Sequence, residues 1–292
     1  MISRRDMFRA GIVAGAAMIR LDANATPAEN FQCAADSRSD LIYPEILGWK
    51  IGPQIYSFNR FPFDEAVKLV AKCGVKSYEL FSGQRLSKDS DEAVGPGMSK
   101  AAFKRFRELL IESNVVPHAM GVCAADRAHF EFAAQCGFSV INVEPEYEAL
   151  PEVDKLAQEY GINVGLHNHP IDSRYWDPDV VLKCLADCST RIGACCDTGH
   201  WFRSGLDPLE CVKKFNGRIS SFHIKDLTAE KVDIPLGNGV CKIADILAVC
   251  AEQNLRATFS IEYESEWDNN QPLVAECVRF FNETAKKIIE GE

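Results

Sequence analysis

From Gly48 to its end the chain alternates between two hydrophobic periods, and no other property narrows its fold so far. Short β-branched or apolar runs at residues 50–58, 77–81, 116–122, 139–145, 163–169, 192–197, 219–225 and 258–263 read as strands. Between them, apolar residues recur at i, i+3, i+4 and i+7 over residues 63–73, 99–113, 126–136, 151–160, 177–186, 207–215 and 243–253, and a last amphipathic stretch covers 272–289. Helix boundaries carry their own chemistry. Asp177-Pro178 and Asp207-Pro208 each put an acidic N-cap before a proline, whose missing N–H costs nothing at the first helical position. Glu210 follows Asp207 by three positions, and Gly74, Gly137 and Gly161 stand where helices must stop. Eight strands alternating with eight helices over about 240 residues predict an α/β fold, a single (β/α)8 barrel. No GxGxxG turn follows the first strand, as a doubly wound nucleotide-binding sheet would have. The longest loop, residues 83–98, is polar and sits where it can cover the barrel mouth.

The barrel is expected over residues 48–292, preceded by an N-terminal extension at 26–47 and an export signal at 1–25. Ser3-Arg4-Arg5-Asp6-Met7-Phe8-Arg9, an apolar run at 10–19 and the small residues Ala23-Asn24-Ala25 resemble a twin-arginine signal, which implies a periplasmic or otherwise exported protein. Without a functional signal the chain would stay cytoplasmic. Nothing else approaches the ~20 apolar residues of a membrane span. The twelve cysteines show no CxxC pair and no small-domain spacing, so they read as buried thiols rather than a zinc ribbon or disulfide scaffold. Twin-arginine export carries folded protein, which suits buried reduced thiols. A formal net charge of −10 argues against a nucleic-acid partner, because phosphate binding needs a basic surface. A homodimer is compatible with the sequence and is not specified by it.

In a parallel barrel the C-terminal strand ends converge on one face. Four of them hold nearly all the carboxylate and imidazole chemistry: Gly165-Leu166-His167-Asn168-His169, Cys196-Asp197-Thr198-Gly199-His200, Phe222-His223-Ile224-Lys225-Asp226 and Ile261-Glu262-Tyr263-Glu264. Four of the six histidines fall in these runs. A lone strand histidine is more often a core residue bonded to backbone; four strand exits carrying the same chemistry point instead to a site. Alternation decides which side chains meet. If Asp197 points inward so does Cys195, whereas Cys196 faces the helices. The same rule groups Ser221, His223 and Lys225, then His167 with His169, and Glu262 with Glu264. One inward residue from each of strands five to eight gives His167, Asp197, His223 and Glu262 as metal ligands. Two imidazoles and two carboxylates suit one divalent Mn²⁺, Zn²⁺, Co²⁺ or Fe²⁺ ion better than an all-oxygen Mg²⁺ or Ca²⁺ site.

The Asp-Thr-Gly-His, His-Ile-Lys-Asp and Ile-Glu-Tyr-Glu runs resemble the xylose-isomerase-like TIM-barrel superfamily, over about residues 48 to 290. That superfamily includes sugar-phosphate isomerases and epimerases, ketose 3-epimerases, inosose dehydratases and type-IV endonucleases. The resemblance implies that Asp197, His223 and Glu262 ligate metal from strands six, seven and eight. At strand five it departs from the ketose epimerases, which place there a glutamate serving as both ligand and acid/base group; this chain has His167. His-Asn-His at this strand resembles an often exported, isomerase-like branch.

Around the ligands, Lys225 is the inward cation, able to hold a substrate oxygen, stabilise an enolate or act as a base if desolvated. Its bland alternative is a salt bridge with Asp226 or Glu264. Glu144 and Glu146 leave strand four with equal parity, and Glu146 and Glu264 are the candidate acid/base carboxylates. His169, His200, Trp201 and His118 are candidate substrate contacts, the tryptophan by stacking on a sugar ring. Large-loop tryptophans more often pack, and Glu79 is a weaker candidate for any role. The expected enzyme is a metal-dependent sugar isomerase or epimerase that abstracts a proton beside a carbonyl through an enediolate. The alternatives are a lyase or dehydratase on a keto-sugar or cyclic polyol, and a non-catalytic sugar-binding barrel. In each, the partner is a small sugar or polyol.

Overall fold

The computed structural model describes residues 42–292; the expected export signal and most of the N-terminal extension lie outside the described residues. The β-branched runs form β1 (Lys50–Pro53), β2 (Ser77–Leu80), β3 (Val116–Cys123), β4 (Val140–Val143), β5 (Asn163–His167), β6 (Ile192–Asp197) and β7 (Ile219–Ile224). A short antiparallel hairpin of β8 (Asp226–Leu227) and β9 (Asp233–Ile234) follows, and then β10 (Thr258–Ile261). The eight long-range strands are parallel in the order β1-β10-β7-β6-β5-β4-β3-β2. A parallel bridge between Gln54 and Glu79, with the Ser77 hydroxyl donating to the Ile51 carbonyl at 2.9 Å, joins β1 to β2 and closes the barrel.

The helices are α1 (Ile42–Ile46), α2 (Phe63–Lys72), α3 (Lys100–Ser113), α4 (Arg127–Cys136), α5 (Leu150–Tyr160), α6 (Pro178–Ala186), α7 (Thr198–Arg203), α8 (Pro208–Phe215), α9 (Ile243–Glu252) and α10 (Gln271–Glu290). Asp177 and Asp207 cap α6 and α8 through the amides of Asp179 and Leu209, each with proline in the first turn. Gly137 and Gly161 end α4 and α5 in the left-handed region, which a side chain would strain. No helix among the described residues is long and apolar enough to cross a membrane.

Two of the shifted boundaries bear on the site. The first strand stops at Pro53, because the Gln54 side chain accepts the Tyr56 amide and starts a 3₁₀ turn at Ile55–Phe58. The fifth stops at His167, leaving His169 in the loop beyond it. α7 was not anticipated: it is a short helix after β6, and it positions part of the site.

The apolar core lies between sheet and helices. Phe222 of β7 stacks on Phe259 of β10 at 4.7 Å, Phe281 of α10 meets Phe259 edge-on at 5.2 Å, and the Trp49 indole donates to the Leu255 carbonyl at 2.9 Å. Cys196 belongs to this layer, and every cysteine among the described residues is a free thiol. Inside the barrel the lining is polar: Glu79, Asn142, Ser221, His223 and Ser260 are all buried there and satisfy one another's hydrogen bonds. Gly165 leaves room for this network, since a Cβ there would run into Asn142, Ser221 and Cys195.

Candidate active site

Strand register brings the predicted ligands to one level. Asp197, the last residue of β6, pairs with His223 of β7, and His223 pairs on its other side with Ser260 of β10. Glu262 lies just past β10, its amide donating to the Ile224 carbonyl at 3.1 Å. His167 ends β5 opposite Cys195. His167, His223 and Glu262 line a cavity of about 560 Å³ whose remaining wall includes Tyr56, Phe81, His169, His200, Lys225 and Glu264, and the fully buried Asp197 lies against these ligands without lining it.

Asp197 is fixed on both sides. Asn168 clamps its backbone, donating to its carbonyl at 3.0 Å and accepting its amide at 2.8 Å. Its Oδ1 caps α7 by accepting the His200 amide at 2.7 Å. Its Oδ2 faces inward, 2.8 Å from Lys225 Nζ and 3.5 Å from the Nε2 atoms of both His167 and His200. Lys225 also reaches Glu262 Oε2 at 2.7 Å and Glu264 Oε1 at 3.1 Å. Burial alone would lower the Lys225 pKa, but Asp197, Glu262 and Glu264 outweigh it and hold the ammonium charged. Burial would likewise raise Asp197 and Glu262; the positive charges around them keep both well below the usual carboxylate range. Glu264 goes the other way, because burial, aided by Glu262 and Asp197, lifts it above an ordinary glutamate. Burial also drives His200 down to about 3, so it stays neutral.

The donor set fits a divalent ion. Each central imidazole has one nitrogen tied to a carboxylate and the other turned inward. His167 Nδ1 lies 2.8 Å from Glu144 Oε1, and its buried Nε2 has no hydrogen-bond partner. His223 Nε2 lies 3.0 Å from Glu79 Oε1; its Nδ1, 3.0 Å from Glu262 Oε2 but not aligned for a hydrogen bond, is likewise unpartnered. Metal-binding histidines characteristically show this arrangement, a carboxylate behind and a bare nitrogen in front. Ligand atoms of Asp197, His223 and Glu262 lie within 4.8 Å of one another, as do those of His167, Asp197 and His200.

A family model described as a xylose isomerase-like TIM barrel matches residues 67–284. The chain belongs to the xylose isomerase-like TIM-barrel family. An inosose dehydratase of Bacillus thuringiensis (strain Al Hakam) is 26% identical over 137 residues, which are 41% of this chain and 46% of that protein. The chain thus matches about half the length of the curated relatives it resembles. Among solved structures, an uncharacterised protein of Parabacteroides distasonis ATCC 8503 is 28% identical with a TM-score of 0.66, covering 81% of this chain and 99% of its own. A D-tagatose 3-epimerase-like protein, 18% identical, shares the fold at a TM-score of 0.66 over 83% of this chain and 99% of its own.

Within this family barrel, not every expected contact reaches the mouth. His169 lines the cavity with its side chain 44% exposed and paired to Glu144, which holds its pKa up. His200 lines it too. Trp201 does not: it is 1% exposed and stacks on Phe215 at 6.0 Å. Residues 198–203 are helical, so one step past His200 turns the side chain about 100° away and into the core. Glu146 is 69% exposed and paired with Arg174, away from the cavity. β4 ends at Val143, so strand alternation does not extend to Glu146, and Glu144 serves the site instead. His118 points into the barrel near its closed end, 3.3 Å from the Ser260 hydroxyl, and does not line the cavity. Glu79, undervalued from sequence, is completely buried beneath the ligands. The signal for it was a charged residue at an inward position of an otherwise apolar strand.

Proposed function

We propose that this chain is a metal-dependent enzyme that removes a proton beside the carbonyl of a small, unphosphorylated sugar or cyclic polyol and expels an oxygen from the adjacent carbon. The carrying observation is the clustering of His167, Asp197, His223 and Glu262 at the cavity, three of them lining it and Asp197 buried against them, with bare imidazole nitrogens facing two carboxylates. A divalent ion held there would supply Lewis acidity to the carbonyl oxygen and its neighbouring hydroxyl. Glu264 borders the cavity with a raised pKa and takes the proton from carbon. The C–H electron pair moves into the enediolate, whose oxygen lies against the fixed Lys225 ammonium. His169, three strands round the barrel from Glu264 and backed by Glu144 of the neighbouring strand end, is placed to deliver a proton to the departing oxygen as its C–O bond breaks.

Elimination is the better-supported outcome because the wall facing Glu262 and Glu264 is made of imidazoles. Among the described residues no carboxylate on that wall is placed to act as a second acid/base group: Glu144 is engaged by two histidines and Glu146 points away. The isomerase or epimerase reading stands second, supported by Glu264 and His169 lining one cavity from different strands, which would allow proton return to another carbon or face. Among the residues lining the cavity Lys225 is the one lysine or arginine, and three carboxylates already engage it. That argues for a neutral sugar, as would the export we propose from the Arg4-Arg5 run.

The test is metal content by mass spectrometry on the purified chain beside a His223→Ala/Glu262→Ala variant, followed by keto-sugars and inososes in deuterated water. One ion per chain, lost in the variant, with carbon-bound deuterium or an eliminated product, supports the reading. No ion bound by the wild type after loading with Mn²⁺, Co²⁺ or Zn²⁺ sinks it.

A further inference from the structure

Beneath the ligand layer lies a carboxylate that the proposed chemistry does not use. Glu79 is completely buried, and its partners come from four other strands or their ends. Oε1 accepts from Gln54 Nε2 at 3.2 Å and Asn142 Nδ2 at 2.8 Å and lies 3.0 Å from His223 Nε2, while Oε2 accepts from the Ser260 hydroxyl. Those partners are held in turn. Gln54 Nε2 also donates to the Gly121 carbonyl at 2.7 Å, and Asn142 Oδ1 accepts the Ser221 hydroxyl. Gly121 allows this closeness, since a Cβ there would lie 2.8 Å from Glu79 Oε1 and 2.5 Å from Asn142 Cβ.

A buried charge costs several kcal/mol even when paired, and apolar residues of similar volume often stabilise as well. Closing the barrel therefore does not by itself call for a glutamate here. We infer that Glu79 is a positioning residue for the metal centre: it holds a proton on His223 Nε2 and so commits Nδ1 to the ion. The inference rests on the metal reading above and adds to it a residue outside the ligand set. Both Glu79 oxygens already accept, from Gln54, Asn142 and Ser260, and a carboxylate held in that role offers His223 only an acceptor, so the ring nitrogen facing it must carry hydrogen. Anchored by Gln54, Asn142 and Ser260 as well as by His223, the carboxylate cannot rotate away, and the imidazole cannot flip without losing its acceptor. His167 is set in the opposite sense, with Nδ1 on Glu144 and Nε2 facing inward.

The experiment compares full-length wild type with Glu79→Gln and Ser260→Ala. The first keeps the shape and removes the charge; the second perturbs the same network but leaves the acceptor on His223. Zn²⁺ and Mn²⁺ affinities are measured by competition with a chelating dye, fold retention by circular dichroism, and ring protonation by ¹⁵N-imidazole spectra of the Zn²⁺-loaded protein. Glu79→Gln should weaken metal binding by about 10–100-fold, as removal of such a backing carboxylate does elsewhere. Ser260→Ala should stay close to wild type, and His223 should show a protonated Nε2 beside a metal-shifted Nδ1. Equal affinity in wild type and Glu79→Gln, equal losses in both variants, or ligation through Nε2 would overturn the inference. If the wild type takes up no metal, the metal reading itself fails. Glu79 is then judged on the metal-free spectra alone, where an unchanged His223 Nε2 signal in Glu79→Gln overturns its role.

Discussion

Replacing Lys225 with methionine keeps most of the side-chain volume and removes the ammonium from among three carboxylates. Its Nζ lies 2.8 Å from Asp197, 2.7 Å from Glu262 and 3.1 Å from Glu264, and the residue is 1% exposed. Removing one partner of a buried ion pair costs about 3–5 kcal/mol, because the other charge is left uncompensated. With three carboxylates affected, the upper half of that range applies. An unfolding entropy of about 2.1 cal/mol/K per residue over the roughly 250 described residues gives ~0.5 kcal/mol per kelvin, so 4–5 kcal/mol lowers the melting temperature by about 8–10 °C. Scanning calorimetry of Lys225→Met and wild type in chelator measures this directly. With Mn²⁺ or Co²⁺ in excess the gap should narrow, because an ion on Asp197 and Glu262 supplies the missing countercharge and stabilises the folded state by mass action. A drop under about 3 °C in chelator, or an identical gap with metal, would refute the charge-balance argument.

The remaining expectations concern residues away from the ligands. Burial pushes His118 down to about 3, so the unfolded chain takes up a proton near pH 6.5 that the folded chain refuses. Stability is therefore full above about pH 6.5 and falls as pH drops toward 3; urea titrations should show wild type losing about 1.4 kcal/mol per pH unit more than His118→Gln between pH 6 and 4. Equal slopes would contradict this. Trp201→Ala should cost about 3–5 kcal/mol by leaving a core cavity, yet keep the wild-type metal stoichiometry by mass spectrometry, because the indole lies off the cavity. Gly165→Ala should cost about 1–3 kcal/mol by thermal melting, since its Cβ meets Ser221 Oγ at 2.7 Å and Cys195 Cβ at 2.8 Å.

The barrel could be read from the chain because its elements advertise themselves twice, by period and by caps. All eight strands and their following helices lie where alternation, Asp-Pro starts and glycine stops put them, with ends shifted by a few residues. Parity then placed Cys195 inward and Cys196 outward, and gathered His167, Asp197, His223 and Glu262 into one cluster. What escaped was whatever begins where a strand ends. Thr198-Gly199-His200-Trp201-Phe202-Arg203 is too short to show a helical period and carries a glycine, so Trp201 looked like a loop residue free to stack on a ligand. Glu146 was assigned by an alternation that β4 no longer obeys. Glu79 escaped for another reason: only the three-dimensional closure of β1 on β2 shows that one inward glutamate meets four donors.

Asp197 divides its two oxygens between folding and the site. Oδ1 receives the first-turn amide of His200, and Oδ2 faces the cavity. The opening of α7 and the loss of ligand geometry are therefore a single event: the His200 amide meets solvent only when Asp197 has left its rotamer. Hydrogen exchange at that one amide becomes a clock for the integrity of the centre, readable with no substrate, and its slowing on addition of an ion would time how long the site stays assembled.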